Sequence, residues 1–263
     1  DLHCHYCDHH QRIPSICPHC GSKKIGFFGA GTQKVEEELK KRFSKARVVR
    51  LDQDTASKKG ESERILEDFA QGHYDILLGT QMVAKGHDFS NVTAVGIITA
   101  DSILHIPVYT AAERTFNLLT QAAGRAGRGQ KEGRVVVQTY SPEHYAVRHS
   151  TAHDYESFYA EEIEARKALL YPPIGEMIQI TLLDAKIEGV KQRATELATQ
   201  LRQVAKGHGI DVLGPYENGA FKIRDMYRLC IMIRGKDVSS IKAYMYDSDI
   251  FTMPHMYIDV DPV

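Results

Sequence analysis

Residues 48–78 read VVRLDQDTASKKGESERILEDFAQGHYDILL. Val48–Leu51 and Ile76–Leu78 are short, β-branched and nearly continuous in apolar character, as strands covered on both faces must be. Between them, Glu61–Phe69 carries its apolar residues at helical spacing, and Gly72 just beyond supplies a C-terminal stop. The same alternation extends outward. The apolar run Ile25–Phe28 leads into a helical pattern over Gln33–Phe43, and strands over Val95–Thr99 and Val135–Thr139 flank a helix from Ala111 to about Ala126. Thr110, with Glu113 three residues on, reads as a capping box at that helix's start. Strands and helices in this order predict an α/β layer, a parallel sheet with helices on both faces.

Beyond this region the pattern changes. From Pro142 to Leu170 the chain reads as helix, with Tyr145, Tyr155, Phe158 and Tyr159 recurring, and Tyr171-Pro172-Pro173 ends it at a domain boundary. Then come an alternating strand Met177–Leu183, a helix over Glu188–Lys206, strands near Val212 and over Tyr227–Ile233, a helix near Val238–Tyr244 and a strand Met256–Val260. That order predicts a split βαβ, ferredoxin-like α+β domain. The expected divisions are 1–24, a partial cysteine knuckle; 25–141, the α/β domain; 142–174, a helical connector; and 175–263, the α+β domain.

The chain has 263 residues, 43% hydrophobic and 25% charged, with a formal net charge of −1. No stretch approaches the roughly 20 apolar residues of a membrane span, so a soluble protein without membrane contact is expected. The near-zero charge means that nucleic acid must be met by local basic surfaces, not by a bulk field. Asp1 is not followed by a secretory leader, and the start reads as a cut within a longer protein.

Four of the five cysteines form two close pairs, Cys4-x2-Cys7 and Cys17-x2-Cys20. In a chain without an export signal such knuckles hold zinc by thiolate coordination more readily than they form two disulfides. Their spacing lets all four thiolates close on one tetrahedral ion. Cys230, between Leu229 and Ile231, reads as a small buried hydrophobe.

Chemistry concentrates in Gln121-Ala122-Ala123-Gly124-Arg125-Ala126-Gly127-Arg128-Gly129. On a helix, Gln121, Arg125 and Arg128 stand at i, i+4 and i+7 and share one face, with two guanidinium forks side by side. Arginine suits bidentate recognition of phosphate oxygens. Gly124 and Gly127 each cost about 1 kcal/mol in a helix relative to alanine, so something must approach the backbone closely there. Gly79-Thr80-Gln81-Met82-Val83-Ala84-Lys85-Gly86-His87-Asp88-Phe89 leaves the carboxyl end of a predicted strand, where open α/β sheets bind their ligands. Thr80, Gln81 and Lys85 can hydrogen-bond phosphate, and Asp88 is either an acceptor for a ribose hydroxyl or an arginine, or a plain turn residue. Gly29-Ala30-Gly31-Thr32, between strand and helix, is either a capped turn or a contact for phosphate.

Together these two long stretches resemble the fifth and sixth sequence motifs of superfamily 2 helicases. With Cys4–Cys7, Cys17–Ser22, Gly31-Thr32, Ala112–Phe116, His153-Asp154-Tyr155 and Tyr171-Pro172-Pro173, the whole chain is similar to the primosomal replication-restart helicases, the PriA family. The resemblance implies a RecA-like lobe 2 for the α/β domain and a 3′-to-5′ DNA helicase driven by ATP with magnesium. It further implies action on stalled or repaired forks, forked, single-stranded and duplex DNA as ligands, and single-strand-binding protein and primosome proteins as partners. The setting it implies is the bacterial cytoplasm, at the nucleoid. Arg125 and Arg128, with Gln121, face the ATP phosphates; Thr80, Gln81, Lys85, Gly86 and Asp88 couple ATP to DNA; Gly31 and Thr32 touch the DNA backbone. Asp8, Val108 and Thr110 depart from the family's usual residues. The family also has two further CxxC pairs upstream and shares them with Cys4, Cys7, Cys17 and Cys20 between two zinc ions, which leaves one rearranged zinc or none for the pairs in this chain.

No Gly-x-x-x-x-Gly-Lys-[Ser/Thr] loop occurs in the sequence, since Gly235-Lys236 is followed by Asp237 and lacks the earlier glycine. The chain alone is therefore expected not to hydrolyse ATP. The rival expectation is a stand-alone binding module for nucleic acid or protein, in which the cysteine knuckle and the α+β domain do the work.

Overall fold

A computed structural model of the chain describes all residues except 1, 4–9, 12–13, 19, 24–30, 53–54, 56–59, 81–88, 107, 128–131, 218–220, 224 and 263. The chain divides into two compact units, Gly26–Glu162 and a second made of Ile163–Val263 with Asp1–Ile25. The second unit opens on a small antiparallel pair, Leu2–His3 (β1) with His10–Gln11 (β2).

In the unit Gly26–Glu162, α1 (Thr32–Arg42) precedes β3 (Val48–Leu51), and α2 (Glu61–Ala70) precedes β4 (Ile76–Gly79). Strands β3 and β4 are parallel, from Val48 opposite Ile76 to Leu51 opposite Gly79. The α2 face that carries Ile65 and Leu66 buries them with Leu51 and Phe89. Gly72, at φ +80, donates its N–H to the Phe69 carbonyl and ends the helix, as the sequence predicts. At the amino ends of both strands Arg47 binds Asp75 through its backbone N–H, its Nε and one Nη, all within 3.0 Å.

A second parallel pair joins β5 (Ala94–Ile97) to β6 (Arg134–Val137), with α3 (Asp101–Leu104) and α4 (Ala111–Ala123) between them. Among the described residues no strand ladder links this pair to β3–β4, and the predicted strand Ile25–Phe28 lies outside them. Parallel pairing is thus present, as two pairs. Asp101 is buried and its carboxylate accepts from the Tyr140 N–H at 3.1 Å and the Thr139 hydroxyl at 3.0 Å, which ties α3 to the exit of β6.

Three local expectations need correction. The helix from Ala111 stops at Ala123 rather than near Ala126, because Gly124 and Gly127 favour leaving it. Thr110 is its N-cap but makes no capping bond; its hydroxyl is buried without a hydrogen-bond partner, and the capping box is not formed. The single helix over 142–170 is two, α5 (Tyr145–Ala152) and α6 (Tyr155–Leu169). His153 breaks them with φ 54, and Asp154 caps the new start by accepting from the Ser157 N–H at 3.0 Å. Of the recurring aromatics, Phe158 is buried and stacks on Phe116 at 4.2 Å, while Tyr155 and Tyr159 are exposed.

The second unit continues with β7 (Glu176–Asp184), α7 (Ile187–Ala205), β8 (Ile210–Tyr216), β9 (Lys222–Ile223), β10 (Met226–Gly235), α8 (Ser239–Asp247), a 3-10 turn Asp249–Thr252 and β11 (Met256–Val260). The sheet order is β11-β7-β10-β8, and every neighbouring pair is antiparallel. A βαββαβ chain in that order is the split βαβ arrangement expected from the sequence. Alternate residues Ile178, Ile180 and Leu182 of β7 and Leu229, Ile231 and Ile233 of β10 meet Val190, Leu197 and Leu201 of α7. Burial of each such side chain contributes about 1.5–3 kcal/mol, so this interface dominates the unit's stability. On the opposite face Cys230 is fully buried with its sulfur 3.4 Å from the Thr181 hydroxyl, the small core residue its neighbours predict.

Candidate functional site

The arginine segment begins where α4 ends. Gln121 is exposed in the last helical turn, and Arg125 is half-buried in a tighter turn, its N–H donating to Ala122 and that of Ala126 to Ala123. With the helix ended at Ala123, Gln121 and Arg125 do not share the continuous helix face read from the sequence. Arg128 itself lies outside the described residues.

The glycine reading finds its cause here. Gly127 has φ +77 and donates its N–H to the Val92 carbonyl at 3.0 Å. A Cβ on it would stand 2.6 Å from the nitrogen of Gly133. What approaches this backbone is the chain's own return stem.

The second predicted stretch leaves the carboxyl edge of the β3–β4 pair. Thr80 is exposed directly after β4, and Gln81, Lys85, Gly86 and Asp88 lie outside the described residues. Phe89 closes the stretch, buried edge-on against Phe69 with ring centroids 5.0 Å apart.

On the same edge the end of β3 meets the start of α1 in a polar cluster. The Thr32 hydroxyl donates to Asp52 Oδ2 at 2.7 Å and accepts from Arg50 at 3.5 Å. Arg50 also pairs with Asp52 at 3.1 Å and Glu36 at 3.3 Å, and Asp52 accepts from the Thr55 N–H at 3.1 Å. These bonds, the one from Thr32 foremost, hold the Asp52 carboxyl below the usual carboxylate range. A phosphate oxygen can only accept, so the Thr32 hydroxyl can serve one only by releasing Asp52. Gly31, at the N-cap of α1, is exposed. Sequence reading missed this cluster, although Arg50, one charge inside an apolar strand, was a signal for it.

Of the two cysteine pairs, Cys17 and Cys20 lie in a described loop. Cys17 donates its N–H to the Ser22 carbonyl at 2.8 Å and accepts from Gly21, whose φ of +68 closes the Cys17–Ser22 loop. Cys20 is exposed within it. Cys4 and Cys7 lie outside the described residues, in the connection between the paired strands β1 and β2. Among the described residues no three metal-binding side chains converge.

Two family descriptions match the chain in tandem. A helicase conserved C-terminal domain covers residues 12–130, and a primosomal protein N C-terminal domain covers residues 167–263. Replication restart protein PriA of Bacillus subtilis (strain 168) is 43% identical over 266 residues, spanning 99% of this chain and 33% of that protein. The chain belongs to the PriA family. The PriA of Synechocystis is 36% identical over 260 residues (99% of this chain, 31% of that protein), and that of Thermotoga maritima is 36% identical over 240 (91% and 32%). The chain therefore spans about a third of the length of the PriA relatives it matches. In PriA terms, Thr32, Thr80, Arg125 and Gly127 fall within the helicase match, and the split βαβ sheet falls within the primosomal one. No helix of the described residues is long and apolar enough to cross a membrane.

Proposed function

We propose that this chain supplies the second motor half and the C-terminal domain of an ATP-driven 3′-to-5′ DNA helicase that acts at stalled or repaired replication forks and starts primosome assembly. The observation that carries the reading is the tandem order of the helicase and primosomal matches along a chain that relatives named for replication restart cover almost completely. On this reading it works in the bacterial cytoplasm at the nucleoid, on forked, single-stranded and duplex DNA, with single-strand-binding protein and primosome proteins as partners.

The chemistry follows from the residues. Arg125 and Arg128, with Gln121 beside them, form one wall of a nucleotide cleft. The phosphate loop and the magnesium contacts come from the other motor half. Fixed guanidinium groups stabilise the charge that spreads over the transferring phosphoryl group, an effect worth on the order of 10³ to 10⁵ in rate. Thr80 and the segment Gln81, Lys85, Gly86 and Asp88, leaving the edge of β4, pass the state of the nucleotide to DNA. Gly31 and Thr32 meet the DNA backbone from the start of α1.

Zinc fits the cysteine turns by its donor chemistry. The Cys17–Ser22 loop presents two thiols with two residues between them and closes on a glycine of positive φ, and Cys4 and Cys7 sit in sequence between two paired strands. Cys4, Cys7, Cys17 and Cys20 are the residues that hold it, as a structural ion.

Arg128→Ala in the full-length protein tests the motor assignment. DNA-stimulated ATP hydrolysis is expected to fall at least about 10³-fold while DNA affinity changes little, because the lost interaction belongs to the transition state. An equal loss of DNA affinity would show that Arg128 serves the nucleic acid instead.

A further inference from the structure

We propose that Asp52 is the release partner of the Thr32 hydroxyl: its carboxylate competes with the DNA backbone for that group's one proton, and so sets how readily the start of α1 lets DNA go. This role rests on the reading above that Thr32 meets the DNA backbone.

Thr32 stands at a border. It is half-buried, with the exposed Gly31 before it and the Asp52 carboxylate of a residue only 6% exposed behind it. Its hydroxyl carries one proton, which goes to Asp52 Oδ2 at 2.7 Å. A phosphate oxygen offers only lone pairs, so carboxylate and phosphate ask for the same proton. Threonine in a helix divides between two χ1 rotamers, and a single rotation about Cα–Cβ exchanges one acceptor for the other.

The carboxylate left behind is not orphaned. Its Oδ1 keeps the Thr55 N–H at 3.1 Å and the Thr55 hydroxyl at 3.2 Å, and its Oδ2 keeps Arg50 at 3.1 Å. Arg50 is steadied in turn by Glu36 at 3.3 Å, and Lys40 pairs with Glu36 at 2.6 Å. A buried charge stripped of its donors is costly, and the donors that remain here remove most of that cost. Exchanging one charge-assisted bond for another of similar strength is therefore close to balanced. Near balance suits a motor half that must grip the backbone and let it go in every cycle.

The test is binding of a fluorescein-labelled oligothymidylate by the full-length protein. Asp52→Asn weakens the competitor, because an amide oxygen is a poorer acceptor than a carboxylate. Affinity is expected to rise about 5-fold, chiefly through slower dissociation. Thr32→Val keeps the shape, removes the hydroxyl and is expected to bind about 10-fold more weakly. With both changes present, most of the gain from Asp52→Asn should vanish, since the contested proton is gone. A residue that only props α1 would give the opposite sign, so parental or weaker binding by Asp52→Asn would overturn the proposal and leave Thr32 in its role. A gain that persists in full beside Thr32→Val would assign it to charge alone and overturn the proposal too. Parental affinity in Thr32→Val would overturn the reading of Thr32 and the proposal together. Asp52→Ser, smaller and still an acceptor for Thr55, should shift affinity in the same direction even if Asp52→Asn fails to fold, and no gain there would overturn the proposal equally.

Discussion

Arg47 grips Asp75 with three donors, and the consequence is a carboxyl group held at about 2 instead of its ordinary 3.8, chiefly by the guanidinium hydrogen bond. A carboxylate with a depressed folded-state value contributes stability that is fully present above its ordinary value and is lost as pH falls through the folded one. The window is therefore between about pH 4 and about pH 2. Asp75→Asn should lower the urea midpoint at pH 6, and the gap to the parent should close by pH 2. A gap independent of pH would show that the ion pair plays no part. Both groups are exposed, so the effect is small and screened by salt. Single residues also mark where sequence reading succeeded and where it stopped. Cys230 and Gly72 were legible because burial and helix ending are decided by immediate neighbours. Gly133 and Asp52 were not, since their roles depend on partners 6 and 20 residues away in the chain.

Among the elements, strands and helices with a strong period were legible nearly to the residue. The predicted β3 and β11 match the observed Val48–Leu51 and Met256–Val260. Where misreading occurred, a local competitor had prevailed over the pattern. Two glycines cut α4 short, and the left-handed His153 split one predicted helix into two. Within the second unit, α7 carries the weight of the core. Leu201→Ala, at a side chain with no exposure, is expected to destabilise this unit by about 2–5 kcal/mol, measured as loss of amide protection in β7 and β10. Unchanged protection there would mean that α7 is not what covers the sheet. The cysteine turns carry a separate expectation. Elemental analysis of chain purified without chelator should give near one zinc per molecule, since a structural zinc contributes on the order of 10 kcal/mol. A value near zero would mean that further thiols from outside residues 1–25 are indispensable.

At the scale of the whole molecule, the two units divide the expected labour between a motor wall and a C-terminal domain. The chain alone should hydrolyse no ATP even with DNA present, and a separately made first motor half should restore turnover on mixing. Turnover by the chain alone would refute the motor assignment, and no turnover on mixing would favour the stand-alone binding module. The topology of the second unit has a further consequence, for biosynthesis. Its first strand, β7, is flanked by β10 and by β11, the last strand to be made. On the ribosome, β7 must wait for the pairing of Met256–Val260 while more than seventy residues are added, its edge N–H and C=O groups open to other chains in the interval. Synthesis that halts before Met256 would release a sheet with that edge bare, a product destined for proteases or aggregates.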